Sequence, residues 1–296
     1  MIETPVTILD PEGVKGTPFV EVVRQSSISG VGTCSRQLMF DRIHGWQPGV
    51  FKTFGTAYHA GLEAYHRGGE AAPAVDYAFS DAGQKDAGDE PLPESAWSDS
   101  DWGSLQGAID VCQGMVRVYL SDYEWEVRYP ELVGRTIGVE VDIHADLPRP
   151  GFVLKGTVDR AIDVQGTELG EELQLDHLLV DYKTARRAWP KGKEHPRKNV
   201  QGSWYVHWWR YLWSMQNGGE ILRTGFAFDI MTHKGKHEVR YVKPTDAQVA
   251  AVLSKAASYV SLIENDGPWL PNTDSFLCSA KWCDHWNRCE YGAAIS

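Results

Sequence analysis

The chain has 296 residues, 42% of them hydrophobic and 23% charged, with a formal net charge of -11. These values exclude extensive disorder. The acidic balance excludes a surface coated in positive potential, yet leaves room for a local basic groove that holds nucleic acid. No stretch approaches the roughly 18 to 20 apolar residues of a spanning helix, and the start, MIETPVTILDPEGVKG, lacks a basic-then-apolar leader pattern. A cytoplasmic protein without membrane contact is expected.

In chain order, residues 1 to about 25 hold Pro5, Pro11, Gly13, Gly16 and Pro18 with little periodicity, so they predict an irregular arm with room for one short strand. SSISGVGTCSRQLMFDRIHG offers Ser27 and Ser29 as caps for a short helix carrying Cys34. FKTFGTAYHAGLEAYHRGG has Phe54, Tyr58, Leu62 and Tyr65 near helical spacing, which sets His59 and Glu63 one turn apart on one face. Residues 70 to about 100 are rich in Ala, Asp, Gly, Pro and Ser and predict a mobile surface connection around a short helix at most. Helical periodicity returns over 101 to 126, with Cys112 on its apolar stripe as a core residue.

IGVEVDIHADL, GFVLKGTVDRAIDV and HLLVDYKTA then read as an antiparallel meander, and the acidic segment DVQGTELGEELQLDH as a loop projecting into solvent. QGSWYVHWWRYLWSMQNGG predicts an amphipathic helix whose Trp204, Trp208, Trp209 and Trp213 pack the core in preference to stacking on bases. GFAFDIMTH with HEVRYVKP predicts a further strand pair, and a final helix spans about Thr245 to Glu264. This order of helices, strands, helix, strands and helix suits an α/β or α+β core in one elaborated domain.

The most informative chemistry is GTVDR at 156–160 followed by VDYKT at 180–184. Asp159 and Asp181 can meet at the ends of adjacent strands, and two such carboxylates repel unless a divalent cation sits between them. Oxygen ligands with open positions suit Mg²⁺ or Mn²⁺. Lys183, two residues from Asp181, shares its face of the strand. There a lysine can orient or deprotonate the attacking water and offset phosphate charge.

With these residues the chain resembles the PD-(D/E)XK nuclease superfamily, Asp159 matching the first acid, Asp181 the second and Lys183 the motif lysine. His59 in GTAYHAGLE matches the upstream helical histidine of the RecB-like branch, and Gln201 and Tyr205 match its Q-x-x-x-Y helix motif. The resemblance implies a metal held by His59, Asp159, Asp181 and Tyr182, with Glu63 assisting and with Gln201 and Tyr205 holding site and substrate in position. Between Lys183 and Gln201, RRAWPKGKEHPRK carries six Lys or Arg against one Glu. Arg186, Arg187, Lys191, Lys193, Arg197 and Lys198 are therefore candidate phosphate contacts, with a merely solvated loop as the other reading.

Five cysteines, an odd number, suit metal ligation or core packing better than disulfides in a reducing compartment. Cys278, Cys283 and Cys289 form C-x4-C-x5-C, and Cys34 lies far upstream. This is similar to the iron–sulfur members of the RecB-like branch, AddB-type nucleases and CRISPR-associated exonucleases among them, although the commoner spacing there is C-x2-C-x5-C. The resemblance implies a [4Fe-4S] cluster held by the four thiolates as a structural staple. Tetrahedral Zn²⁺ is the rival, with His285 able to replace one cysteine.

The expected architecture is thus an α/β restriction-endonuclease-like core, a mixed central sheet flanked by helices, with an Fe-S-stapled helical subdomain from both chain ends. Residues 1–25 form the arm, 26–296 the nuclease domain, and 26–45 with 268–296 the cluster subdomain. The implied activity is metal-dependent cleavage of DNA, most often as a single-strand exonuclease in recombination, repair or replication. No helicase P-loop is present, so the chain resembles compact, often phage-encoded stand-alone exonucleases that receive unwound ends from a helicase or recombination partner. A non-catalytic DNA-binding or scaffold protein that kept the fold is the alternative.

Overall fold

Two apolar runs lie at the centre of the molecule. TGFAFDIMT is buried throughout and HLLVDY is buried along its whole length, the pattern of strands covered by helices on both sheet faces. The computed structural model describes residues 21–44, 49–146, 151–188, 196–275, 278–280, 283 and 285–293. The order is β1 (Glu21–Val23), α1 (Gln25–Thr33), α2 (Ser35–His44), α3 (Val50–His66), α4 (Ala71–Phe79), α5 (Asp81–Asp86), α6 (Glu94–Ser98) and α7 (Leu105–Val118). There follow α8 (Trp125–Arg128), β2 (Thr136–Asp146), β3 (Phe152–Asp163), α9 (Glu168–Leu173), β4 (His177–Ala185) and α10 (Pro196–Gln216). The chain continues through β5 (Thr224–Thr232), β6 (His237–Val242), α11 (Asp246–Glu264) and α12 (Glu290–Ala293).

The strands form one mixed sheet in the order β1-β3-β4-β5-β6, with β2 also paired to β3. β2, β3 and β4 are the antiparallel meander that the alternation predicts. β4 and β5 run parallel, and α10 makes the crossover between them. β6 returns antiparallel to β5. Short β1, inside the predicted arm, adds parallel to the start of β3.

One core lies under α1, α10 and α11, joining Ile28, Trp204, Trp208, Trp209, Phe226 and Tyr259. The tryptophans of α10 are packing residues there, as expected. A second core lies under α3, α4 and α7, joining Phe54, Leu62, Phe79, Trp97, Cys112 and Val180. Cys112 is fully buried, and burial pushes its thiol up to about 12, which leaves it inert. The final helix matches its predicted span, with Thr245 and Gln248 forming a capping box.

Three expectations are corrected. The 70–100 stretch is three short helices, α4 to α6, anchored by buried Val75, Phe79 and Trp97, because a few large apolar side chains suffice to dock polar segments. The acidic segment before β4 is likewise packed. Thr167 caps α9, and Leu169, Leu173 and Leu175 are buried while Glu168, Glu171 and Glu172 face water. The cysteine-bearing helix is two helices that break at Cys34, and Ser27 and Ser29 lie inside α1, whose N-cap is Arg24.

The chain after α11 returns to this break. The Leu270 carbonyl accepts from Arg36 N at 3.2 Å and from the Ser35 hydroxyl at 2.9 Å, and Asn272 Nδ2 donates to the Thr33 carbonyl at 2.9 Å. Arg36 also pairs with Glu290 at 2.9 Å. The start of α2 is thus clasped by residues more than two hundred positions later.

Candidate active site

Helix α3 lines one wall of an open cleft of about 900 Å³, presenting Phe51, Gly55, His59 and Glu63 at intervals of one turn. Lys183 and Thr184 of β4 and Glu140 of β2 form the opposite side. His59 Nδ1 lies 3.3 Å from Asp159 Oδ2, and the Tyr182 backbone N–H donates to the same oxygen at 2.6 Å. Lys183 Nζ stands 2.6 Å from Asp181 Oδ2, and Gln201 Nε2 of α10 donates to Asp181 Oδ1 at 2.6 Å. His59, Glu140 and Asp159 each offer a ligand atom, all within 4.8 Å of one another.

Four acids and bases in this space divide in a characteristic way. Burial works to raise the Asp159 carboxyl, but His59, Lys183 and the Tyr182 N–H outweigh it and hold Asp159 below the usual carboxylate range. Asp181 is pushed up to about 6, by burial first and then by the Asp159 charge, with Lys183 opposing. Glu140 is pushed up to about 7 by burial and by Asp159. Burial pulls Lys183 down, yet Asp181 and Asp159 overcome it and keep the ammonium above its ordinary value. Asp181 Oδ2, though close to Lys183, makes no aligned hydrogen bond. Crowded, partly frustrated carboxylates beside a histidine are the donor set that a divalent cation relieves.

Of the residues singled out from sequence, the structure brings together His59, Asp159, Asp181, Lys183 and Gln201. Glu63 faces the same cleft but is tied to Arg67 at 2.8 Å. Tyr205 is buried beneath the site. A Cβ on Gly156 would stand 2.8 Å from the Tyr205 ring, so the glycine of GTVDR lets helix α10 approach β3. The Tyr182 ring meets the His59 ring edge-on at 6.4 Å, but its hydroxyl points away from the site. Strand alternation turns it to the other sheet face, where its hydroxyl meets His66 Nε2 at 3.1 Å, and only its main chain borders Asp159.

Arg186 and Arg187 are exposed on the strand end beside the cleft, Arg186 paired with Asp101. Lys191 and Lys193, and the side chains of Arg197 and Lys198, lie outside the described residues. Sequence reading missed Glu140. In IGVEVDI it alternates with apolar residues like any exposed strand acid, and what makes it a site residue is a left-handed backbone, φ 50°, near a register shift in β2 that re-aims the side chain.

A second concentration of metal-ligating groups sits at the clasp. Cys34, Cys278, Cys283 and Cys289 line one pocket with Phe40 and Trp286, and all are free thiols. Burial raises Cys278 and Cys283, and the neighbouring thiols raise them further. Among the described residues, no three cysteine sulfurs lie within 4.8 Å of one another. His285 is paired with Asp41 at 2.7 Å.

Among solved structures, the chain is similar to a protein from Eubacterium rectale described as a candidate exonuclease, at 14% identity over 92% of each chain with a TM-score of 0.49. It is also similar to the SSO0001 protein, at 14% identity over 95% of this chain and 91% of that one, with a TM-score of 0.41. A search of curated proteins returns no sequence match. The sequence model of the PD-(D/E)XK nuclease superfamily matches residues 24–290, a span that contains the whole cleft and all four clasp cysteines. With that match over nine-tenths of its length, the chain belongs to the PD-(D/E)XK nuclease superfamily.

Proposed function

We propose that this protein is a Mg²⁺- or Mn²⁺-dependent deoxyribonuclease of the RecB-like branch, acting as an exonuclease on single-stranded DNA in recombination, repair or replication. The observation that carries this reading is the convergence of His59, Glu140 and Asp159 beside the Asp181–Lys183 pair. His59, Glu140, Asp159 and Asp181 would hold the metal, which when bound polarises the scissile phosphate and acidifies a water. Lys183, kept protonated by its two carboxylate neighbours, offsets the phosphate charge and orients that water. Gln201 fixes the Asp181 carboxylate, and Tyr205 supports the strand beneath. Hydrolysis then breaks one P–O ester bond, with the water oxygen bonding to phosphorus and a proton passing to the departing oxygen.

The four-cysteine cavity supports the cluster assignment. Zinc held by thiolates at about 2.3 Å requires sulfurs roughly 3.8 Å apart, a tighter set than the described cysteines form, since no three of their sulfurs lie within 4.8 Å of one another. A four-iron cubane binds each thiolate at a separate iron and so needs a wider set. In this reading 26–45 and 268–296 form a stapled subdomain on a nuclease domain extending over 26–296, and an unwinding partner supplies the strand.

Purified protein with end-labelled single-stranded DNA and Mg²⁺ or Mn²⁺ tests the activity and its polarity together. Metal-dependent shortening by wild type, lost in Asp181→Ala and Lys183→Ala, is expected. No cleavage by wild type turns the reading to a non-catalytic DNA-binding protein, and equal cleavage by the variants overturns the assignment of Asp181 and Lys183. Anaerobically purified protein should be brown and hold iron and acid-labile sulfide, and stoichiometric zinc in their place overturns the cluster.

A further inference from the structure

The cleft is not uniform along α3. Beyond His59 it is acidic, with Glu63 and Glu140. In the other direction, Gly55 contributes no side chain, and a Cβ there would meet only Thr184 Oγ1 at 3.6 Å, so the floor is open. One turn further stands Phe51, which is 49% exposed although it lines the cleft. Its ring rests 6.2 Å from His233 at an interplanar angle of 9°, and 5.3 Å from Trp102. Trp102 is in turn stacked on buried Phe54 at 4.5 Å and 2°. His233 is tied to the end of β4, its N–H donating to the Ala185 carbonyl at 3.0 Å, and the next residue, Arg186, projects into solvent.

We infer that Phe51, backed by Trp102 and His233, is a stacking platform for an unpaired nucleobase of the strand whose phosphate lies at His59 and Lys183. This rests on the nuclease reading and extends it to how the strand is gripped. Eight helical rises separate Phe51 from His59, about 12 Å, so the stacked base belongs to a nucleotide beyond the one adjoining the phosphate. The bare floor at Gly55 lets a sugar–phosphate chain pass between them. The ring is pre-positioned by its aromatic backing, so a base that stacks on it orders little that was loose. A paired base offers no free face, and the platform therefore favours single strands or frayed ends.

Fluorescence anisotropy of labelled single-stranded oligothymidine without metal, and KM and kcat on the same strand with Mg²⁺, test this. Phe51→Ala should raise Kd and KM about tenfold, with kcat within about a factor of two, as expected for one lost base stack. Phe51→Leu, which keeps the apolar volume at the helix start, should behave like Ala, and Phe51→Trp should restore binding. On a strand carrying abasic residues, wild type and Phe51→Ala should bind alike. Equal affinity of wild type and Phe51→Ala for the intact strand overturns the platform. Cleavage with a Phe51-independent KM removes the platform and leaves the nuclease reading. Phe51-dependent binding without cleavage does the reverse, and no binding by wild type removes both.

Discussion

The two faces of β3 and β4 are built from neighbouring residues and treat charge in opposite ways. Asp159 and Asp181 are turned toward the cleft residues His59 and Lys183, and Asp181 Oδ2 is left without an aligned hydrogen bond. Arg160 and Tyr182, the next residues in sequence, face the interior. Fully buried Arg160 meets Glu124 at 2.5 Å, pairs with Glu126 and donates to Thr136. Close by, Asp229 accepts from Tyr119 at 2.8 Å, pairs with His237 at 2.6 Å and meets Arg128 at 3.3 Å. The closed face pairs its charges within the fold, although Glu124 Oε2 lacks a hydrogen bond and only approaches His66 at 3.5 Å. The open face leaves its charges for a ligand, and the same strand alternation produces both.

The comparison breaks most sharply at its two centres. Asp181→Ala should lower kcat by about a thousandfold or more, the scale of losing a main electrostatic element of a site, with little change in urea midpoint. Arg160→Met should do the opposite. It leaves Glu124 buried without its cation and should destabilise the protein by about 3–5 kcal/mol in urea melts, with the folded fraction still active. If Arg160→Met is as stable as wild type, the closed face is not the support described.

A smaller effect tests the cost of the open face. With chelator present at pH 8, Glu140→Gln should gain on the order of 1 kcal/mol, because a carboxyl pushed up to about 7 is unfavourably charged there. The same variant should lose metal-dependent cleavage. A loss of stability would show that Glu140 is satisfied in the metal-free fold.

His66 gives a pH test of the closed face. Burial and Arg160 pull it down to about 3. Its folded value lies below the unfolded one near 6.5, so its contribution to stability is intact above that pH and is lost as pH falls toward 3. By pH 5 the loss should reach about 2 kcal/mol. Comparing urea midpoints at pH 7 and pH 5, His66→Gln should lose less than wild type, and an equal loss removes His66 as the cause.

These two faces also differ in how far the sequence discloses them. Asp159, Asp181 and Lys183 were legible because strand alternation alone sets which of them share a face, and His59 because helical spacing does the same on α3. Gln201 was found through its motif, and in the structure it donates to Asp181. Glu140 was not legible: its direction depends on a left-handed residue near a register shift, which leaves no local mark in IGVEVDI. The closed face was invisible for a broader reason. Arg160, Glu124, His66 and Asp229 come from four separate elements, and each alone reads as an ordinary surface charge. The short helices of 70–100 were lost similarly, since composition averages away the single Trp97 or Phe79 that docks each one.

The clasp between α2 and the segment after α11 imposes an order on synthesis. Every strand of the sheet is made before Leu270 and Asn272 exist to meet Thr33, Ser35 and Arg36. The sheet and its cleft can therefore assemble while the start of α2 still lacks its partners. A chain halted before residue 270 would hold the cleft residues without the clasp.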